Sequence, residues 1–243
     1  MPDISKINTG RFYQAKGKVT IQCTSRKISF DVSKIKTDPS YTFFMLDKSG
    51  SMGKYAQAVI DAYETSIDNL RKSASTRNGS HFITTALFND SYEVIQELVK
   101  LSPVKGKDGI ISLKEGLPPD GNFYPSGTTA LYDCLYEALD SILQILKLTA
   151  DQGVIPRLNI ALISDGEDNM SQRDNSELRK IIKQLRNEEF LKVSVVIGLL
   201  SKDFTEEMLE DIRRKTGFER SVSISTAEKD FRRVFLEFSS MVS

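Results

Sequence analysis

Asp47, Ser49 and Ser51 stand at alternate positions with Gly50 and Gly53 among them, directly after the apolar run Tyr41 to Leu46. One carboxylate and two short hydroxyls at the end of a strand-like run could open a hydrolase site, a phosphate cradle or a metal site. Two further stretches carry similar groups: SGTTALYD (126–133) and SDGEDN (164–169). They add Thr129 and Asp165, so all five side chains offer oxygen. Hard dications such as Mg2+ take oxygen ligands in a near-octahedral shell and retain some water; Mn2+ and Ca2+ share the preference. Alternate residues of an extended turn can face one ion, and glycine between them allows tight curvature. Two carboxylates roughly balance a dication, and neutral hydroxyls leave it electrophilic toward an outside anion.

Elements that would position these groups follow from periodicity. Ala56, Val59, Ile60, Tyr63, Ile67 and Leu70 recur at helical spacing and predict a helix over about 54–73. HFITTALF (81–88) and YEVIQELV (92–99) read as strands joined by the tight turn Asn89-Asp90-Ser91. GLPPDGNFYPSG (116–127) is a loop, and Ala130 to Leu148 a long helix. RLNIALIS (157–164) is apolar enough for a central strand covered on both faces. A helix over 174–189, a strand over 193–199, a helix over 205–215, a strand SVSIS (221–225) and a last helix bearing Phe231, Val234, Phe235 and Phe238 complete the alternation. Such alternation predicts a Rossmann-like, doubly wound, mainly parallel α/β sheet with one antiparallel edge strand. The two short runs GKVTIQC (17–23) and KISFDVS (27–33) predict a β extension over 1–39, ahead of a main domain over 40–243. In open sheets of this kind ligands bind beyond the carboxyl ends of the strands, where all three motif loops fall.

Composition narrows the function. The 243 residues are 40% hydrophobic and 27% charged, enough for a packed core, and Lys+Arg and Asp+Glu both number 33. No net field draws the chain to nucleic acid or to an anionic membrane. Two cysteines make no disulfide framework, and Cys134 falls in a helical pattern as a small buried hydrophobe. MPDISKINTGRFYQAKG has no apolar signal region, and no run reaches the ~20 apolar residues of a membrane span, so a cytoplasmic protein is expected.

Enzyme chemistry finds little support. A serine hydrolase needs a base, and the single histidine, His81, opens a different strand. The nucleophile elbow G-x-S-x-G and the phosphate-binding G-x-G-x-x-G and G-x-x-x-x-G-K-[ST] are absent. Aspartyl-phosphate chemistry would suit Asp47, but the usual second acid two residues on is here Ser49.

DKSGSMG, SGTTALYD and LISDGEDN, in this order on alternating elements, resemble the von Willebrand factor type A (vWA) domain and its metal-ion-dependent adhesion site (MIDAS). The motif D-x-S-x-S, then Thr, then Asp maps onto Asp47, Ser49 and Ser51, then Thr129, then Asp165. Thr128 is the rival threonine; Thr129 is preferred because Gly127, Thr129, Leu131, Tyr132 and Asp133 match the family frame G-x-T-x-L-Y-D. The resemblance covers about residue 40 to the end and implies a vWA fold. It also implies an Mg2+ (or Mn2+ or Ca2+) ion that captures an Asp or Glu of a partner protein. It implies an adaptor, as with family members beside ATPases or kinase–phosphatase pairs, and not an enzyme. A metal-dependent phosphohydrolase using Asp47 is the alternative. Asp133 reads as a first-turn acid of its helix or a support for a ligand, Glu167 and Asp168 as solvated loop acids, and Phe123 with Tyr124 as an exposed rim.

Overall fold

The structure, a computed structural model, describes residues 18–23, 26–31, 40–76, 81–114, 123–151, 157–173, 175–187, 193–200, 205–218 and 220–224. Strands β1 (Lys18–Cys23) and β2 (Arg26–Asp31) pair antiparallel as a two-stranded sheet of their own, with Lys18 opposite Asp31. The main sheet is built from β3 (Ser40–Asp47), β4 (His81–Phe88), β5 (Tyr92–Lys100), β6 (Arg157–Ser164), β7 (Val193–Leu200) and β8 (Arg220–Ile224). Its spatial order is β5-β4-β3-β6-β7-β8. All neighbours run parallel except β5, which returns antiparallel beside β4 at the edge.

Strand β3 is buried over its whole length because its neighbours and both faces are covered. The two-residue period of the strand divides its side chains between two cores. Tyr41, Phe43 and Met45 join a core with α2 (Leu131–Asp151), α3 (Asn175–Asn187) and α4 (Glu206–Thr216). Phe44 and Leu46 join the other, with α1 (Ala56–Thr76). A strand apolar at both parities therefore needs a helix layer on each side, and the chain supplies both.

The predicted elements recur with small shifts. The helix expected from about residue 54 is preceded by a 3-10 turn, Gly50–Tyr55, closed by Met52 N–H donating to Ser49 O at 3.0 Å. The helix expected over 205–215 runs from 206 to 216, with Thr205 Oγ1 accepting from Met208 N–H and Gly217 closing it at φ 77°. The expected last helix lies outside the described residues. His81 is buried, with its ring nitrogens 2.9 Å from the hydroxyls of Ser40 and Thr42. It stands at the start of β4, the end of the strand away from the motif loops, and serves packing there.

The strand order decides where a ligand can sit. From β3 the chain builds outward through β4 and β5, then crosses back to place β6 on the other side of β3. The connections leaving β3 and β6 therefore diverge, and a crevice opens at their carboxyl ends. Asp47 ends β3 and Ser164 ends β6, so the first and third motif loops face each other there.

The backbone of β2 runs beside α2. Removing residues 1–38 is accordingly expected to lower the melting temperature or the solubility of the chain. A truncated protein that stays soluble and melts unchanged would show the segment to be a detachable tail.

Candidate metal centre

Asp47 has no exposed surface and sits at the end of the central strand. Its Oδ1 accepts the N–H of Ser49 at 2.8 Å, and its Oδ2 accepts the hydroxyl of Ser164 at 2.6 Å. Ser164 Oγ in turn accepts Gly166 N–H at 2.9 Å, which ties the turn of the third loop to the first carboxylate. The Ser49 and Ser51 hydroxyls lie 3.2 Å apart, so the alternate spacing does bring both to one side. Ser49 is fully buried and Ser51 half-buried.

The second loop is drawn in by backbone. Gly50 N–H donates to Gly127 O at 3.0 Å and Ser126 N–H to Lys48 O at 2.7 Å. A Cβ on Gly50 would stand 3.1 Å from Gly127 O, and Gly127 itself adopts φ +77°. Both glycines are thus demanded by the approach of these loops. Thr129 is 1% exposed, and Asn169 of the third loop contacts it at two backbone atoms: Oδ1 accepts Thr129 N–H at 2.9 Å, and Asn169 N–H donates to Thr129 O at 3.0 Å. Asp165 is 8% exposed, and Glu167 N–H donates to it at 3.3 Å. The structure therefore brings the three loops together around the buried Asp47, with Thr129 buried and its neighbour Thr128 exposed.

Several contributors were not legible as site residues. Ser164 looked like the last strand residue and proves to be a hydrogen-bond partner of Asp47. Asn89, in the β4–β5 turn, donates through Nδ2 to Ser126 O at 3.0 Å and accepts Ala130 N–H at its backbone oxygen at 2.8 Å. Asp168, expected to be a solvated acid, caps α2 by accepting Leu131 N–H at 3.0 Å. Asp133 does lie in the first turn of α2, and its carboxylate also accepts N–H groups of Gln172 and Arg173 at 3.0 and 3.1 Å. The rim needs correction too. Tyr124 is 55% exposed, but Phe123 is 2% exposed and belongs to the core with α1. A large ring beside a bulky core gains more from burial than from water contact.

Burial pushes the Asp47 carboxyl up from 3.8 to about 6; the hydrogen bonds from Ser164 and Ser49 oppose this, and the charge of Asp165 adds to it. Its hydrogen-bond partners are the Ser164 and Ser49 hydroxyls and the Ser49 N–H; among the described residues no lysine or arginine bonds to it. Among the described residues no group of three or more His, Cys, Asp or Glu could hold a metal. The donors gathered here are instead two carboxylates with neutral hydroxyls. A buried carboxylate lacking a cationic partner beside further oxygen donors fits a hard divalent cation.

No protein-family model matches the chain, and no curated protein does. Solved structures share its fold. A von Willebrand factor type A protein from Catenulispora acidiphila aligns with a TM-score of 0.50 at 14% identity, over 92% of this chain and 44% of that one. Proximal thread matrix protein 1 from the mussel byssus, with a zinc-occupied MIDAS motif, aligns at 0.52 and 13% identity, over 86% of this chain and 49% of its own. The manganese-loaded TRAP protein of Plasmodium vivax aligns at 0.50 and 15%, over 85% and 72%. This chain spans less than half the length of the first two. The fold is that of von Willebrand factor type A.

The raised Asp47 carboxyl has a measurable consequence. The metal-free folded state holds this proton more tightly than the unfolded chain does, so this group costs stability as pH rises from 3.8 through about 6, and the cost is complete above that. With chelator present, Asp47→Asn is expected to unfold at higher urea than the unsubstituted protein near neutral pH, and the gap should close toward roughly pH 4. A gap that does not change with pH would mean that the Asp47 charge is compensated in the metal-free fold.

Proposed function

We propose that this von Willebrand factor type A fold is a metal-dependent protein-binding module, an adaptor that captures an acidic residue of a partner protein. In this reading Asp47, Ser49, Ser51, Thr129 and Asp165 hold one divalent cation, directly or through water. The observation that carries the proposal is the buried Asp47, placed at the switch point of the sheet among hydroxyls and, among the described residues, hydrogen-bonded to no lysine or arginine. The zinc and manganese carried by two structures of the same fold support a divalent ion, Mg2+ or Mn2+ in this donor set.

Bound there, the ion supplies a coordination position at which a partner's carboxylate can replace water. The chain does the rest. Ser49 N–H and Ser164 O–H fix the orientation of Asp47, so its acceptors need little rearrangement. The loops exclude water around the ligands, which makes an incoming charge worth more than on open surface. Tyr124 and Glu167 stand exposed on the second and third loops, where they would meet the partner and contribute specificity. Among the described residues no helix is long and apolar enough to cross a membrane. The phosphohydrolase reading is not favoured: a nucleophile must be reached by substrate, and Asp47 is 0% exposed with both oxygens engaged.

Calorimetry with Mg2+ and with Mn2+ is expected to give one site in the unsubstituted protein and none in Asp47→Ala; equal binding by both would sink the assignment. Because protons compete for a ligand carboxyl raised to about 6, affinity should fall as pH drops through that value. Chelator should release a captured partner without unfolding the domain, whose two cores are built from apolar side chains. Retention of the partner after complete metal removal would place the interaction surface elsewhere.

A further inference from the structure

The second loop has to present Thr129 without regular structure of its own, since residues 123–130 form neither helix nor strand. Most of what holds it is main chain: Ser126 N–H to Lys48 O, Gly50 N–H to Gly127 O, Ala130 N–H to Asn89 O, and both Asn169 N–H and Met170 N–H to Thr129 O. Side chains add to the set. Asn89 Nδ2 holds Ser126 O, Asp168 Oδ1 holds Leu131 N–H, and Asn169 Oδ1 holds Thr129 N–H. Only the last acts on the threonine itself. An N–H can be accepted by the amide oxygen alone, so the bond also settles which way the Asn169 amide points. The residue is otherwise exposed and contributes nothing to either core.

We propose that Asn169 is a positioning residue for the metal centre: its side-chain oxygen locks the peptide of Thr129 to the third loop, so that the threonine and Asp165 are presented as one unit. This rests on the metal-binding reading given above. Asn169 touches no reacting group. It acts through Thr129, as residues that orient metal ligands do, and loss of such partners lowers metal affinity by about 10- to 100-fold.

Two substitutions separate the roles. Asn169→Ala removes the acceptor, whereas Asn169→Asp keeps an oxygen that can accept the same N–H. In metal-free protein, amide exchange at Thr129 should accelerate in Asn169→Ala and stay slow in Asn169→Asp. Mn2+ titration should show affinity reduced on the order of ten-fold in Asn169→Ala, with affinity in Asn169→Asp at least that of the unsubstituted protein. Unchanged Mn2+ affinity in Asn169→Ala, or equal loss in both variants, would overturn the proposal while leaving the metal site standing. Absence of Mn2+ binding by the unsubstituted protein would instead overturn the metal reading, and this role with it.

Discussion

A carboxylate without exposed surface, at the end of a central strand buried along its whole length, sets the terms for everything around it. Asp47 cannot move to water, because β3 is held by β4 on one side and β6 on the other, with helices over both faces. Its charge is met by the hydroxyls of Ser164 and Ser49 and by the Ser49 peptide N–H. Those donors orient the group and soften the cost of its burial, but burial still dominates, as the upward displacement of its proton affinity shows. A site arranged in this way carries a standing electrostatic demand that a cation would satisfy.

The loops meet that demand through main-chain bonds more than through side chains. The second loop is tied to the first through Gly127, Ser126, Gly50 and Lys48, and to the third through both polar backbone atoms of Thr129. The start of α2 is likewise finished from outside. The N–H groups of Leu131, Tyr132 and Asp133 have no partner in their own helix, and Asp168 and Ser171 of the third loop accept them. Asp133 returns the exchange by accepting from Gln172 and Arg173. The loops at the crevice thus depend on one another.

Much of this was legible in the sequence where physics acts locally. The helical period of Ala56 to Leu70 and the short apolar runs HFITTALF and RLNIALIS located their elements, because the pattern of apolar residues reports which faces are covered. The alternation of Asp47, Ser49 and Ser51 after an apolar run marked the first loop for the same reason. What was not legible is long-range. Nothing in the spacing of Asn169 says that its amide reaches Thr129, forty positions away. Asp168 looked solvated because acids in glycine-containing turns usually are, and only the docking of the third loop against α2 gave it a helix end to cap. Phe123, beside Tyr124 in a Gly/Pro-rich stretch, looked like surface until the core with α1 supplied a place for its ring. The 3-10 turn ahead of α1 has no periodic apolar pattern to announce it; it is closed by the local bond from Met52 N–H to Ser49 O.

The most direct test is a crystal structure grown with Mn2+, with data collected at an energy where manganese scatters anomalously. One strong anomalous peak is predicted in the crevice between the ends of β3 and β6, contacting Asp47, Ser49 and Ser51, with Thr129 and Asp165 as ligands or held to it through water. A peak elsewhere, or none there while the ion is present in excess, would contradict the account, and the buried carboxylate would then require another partner.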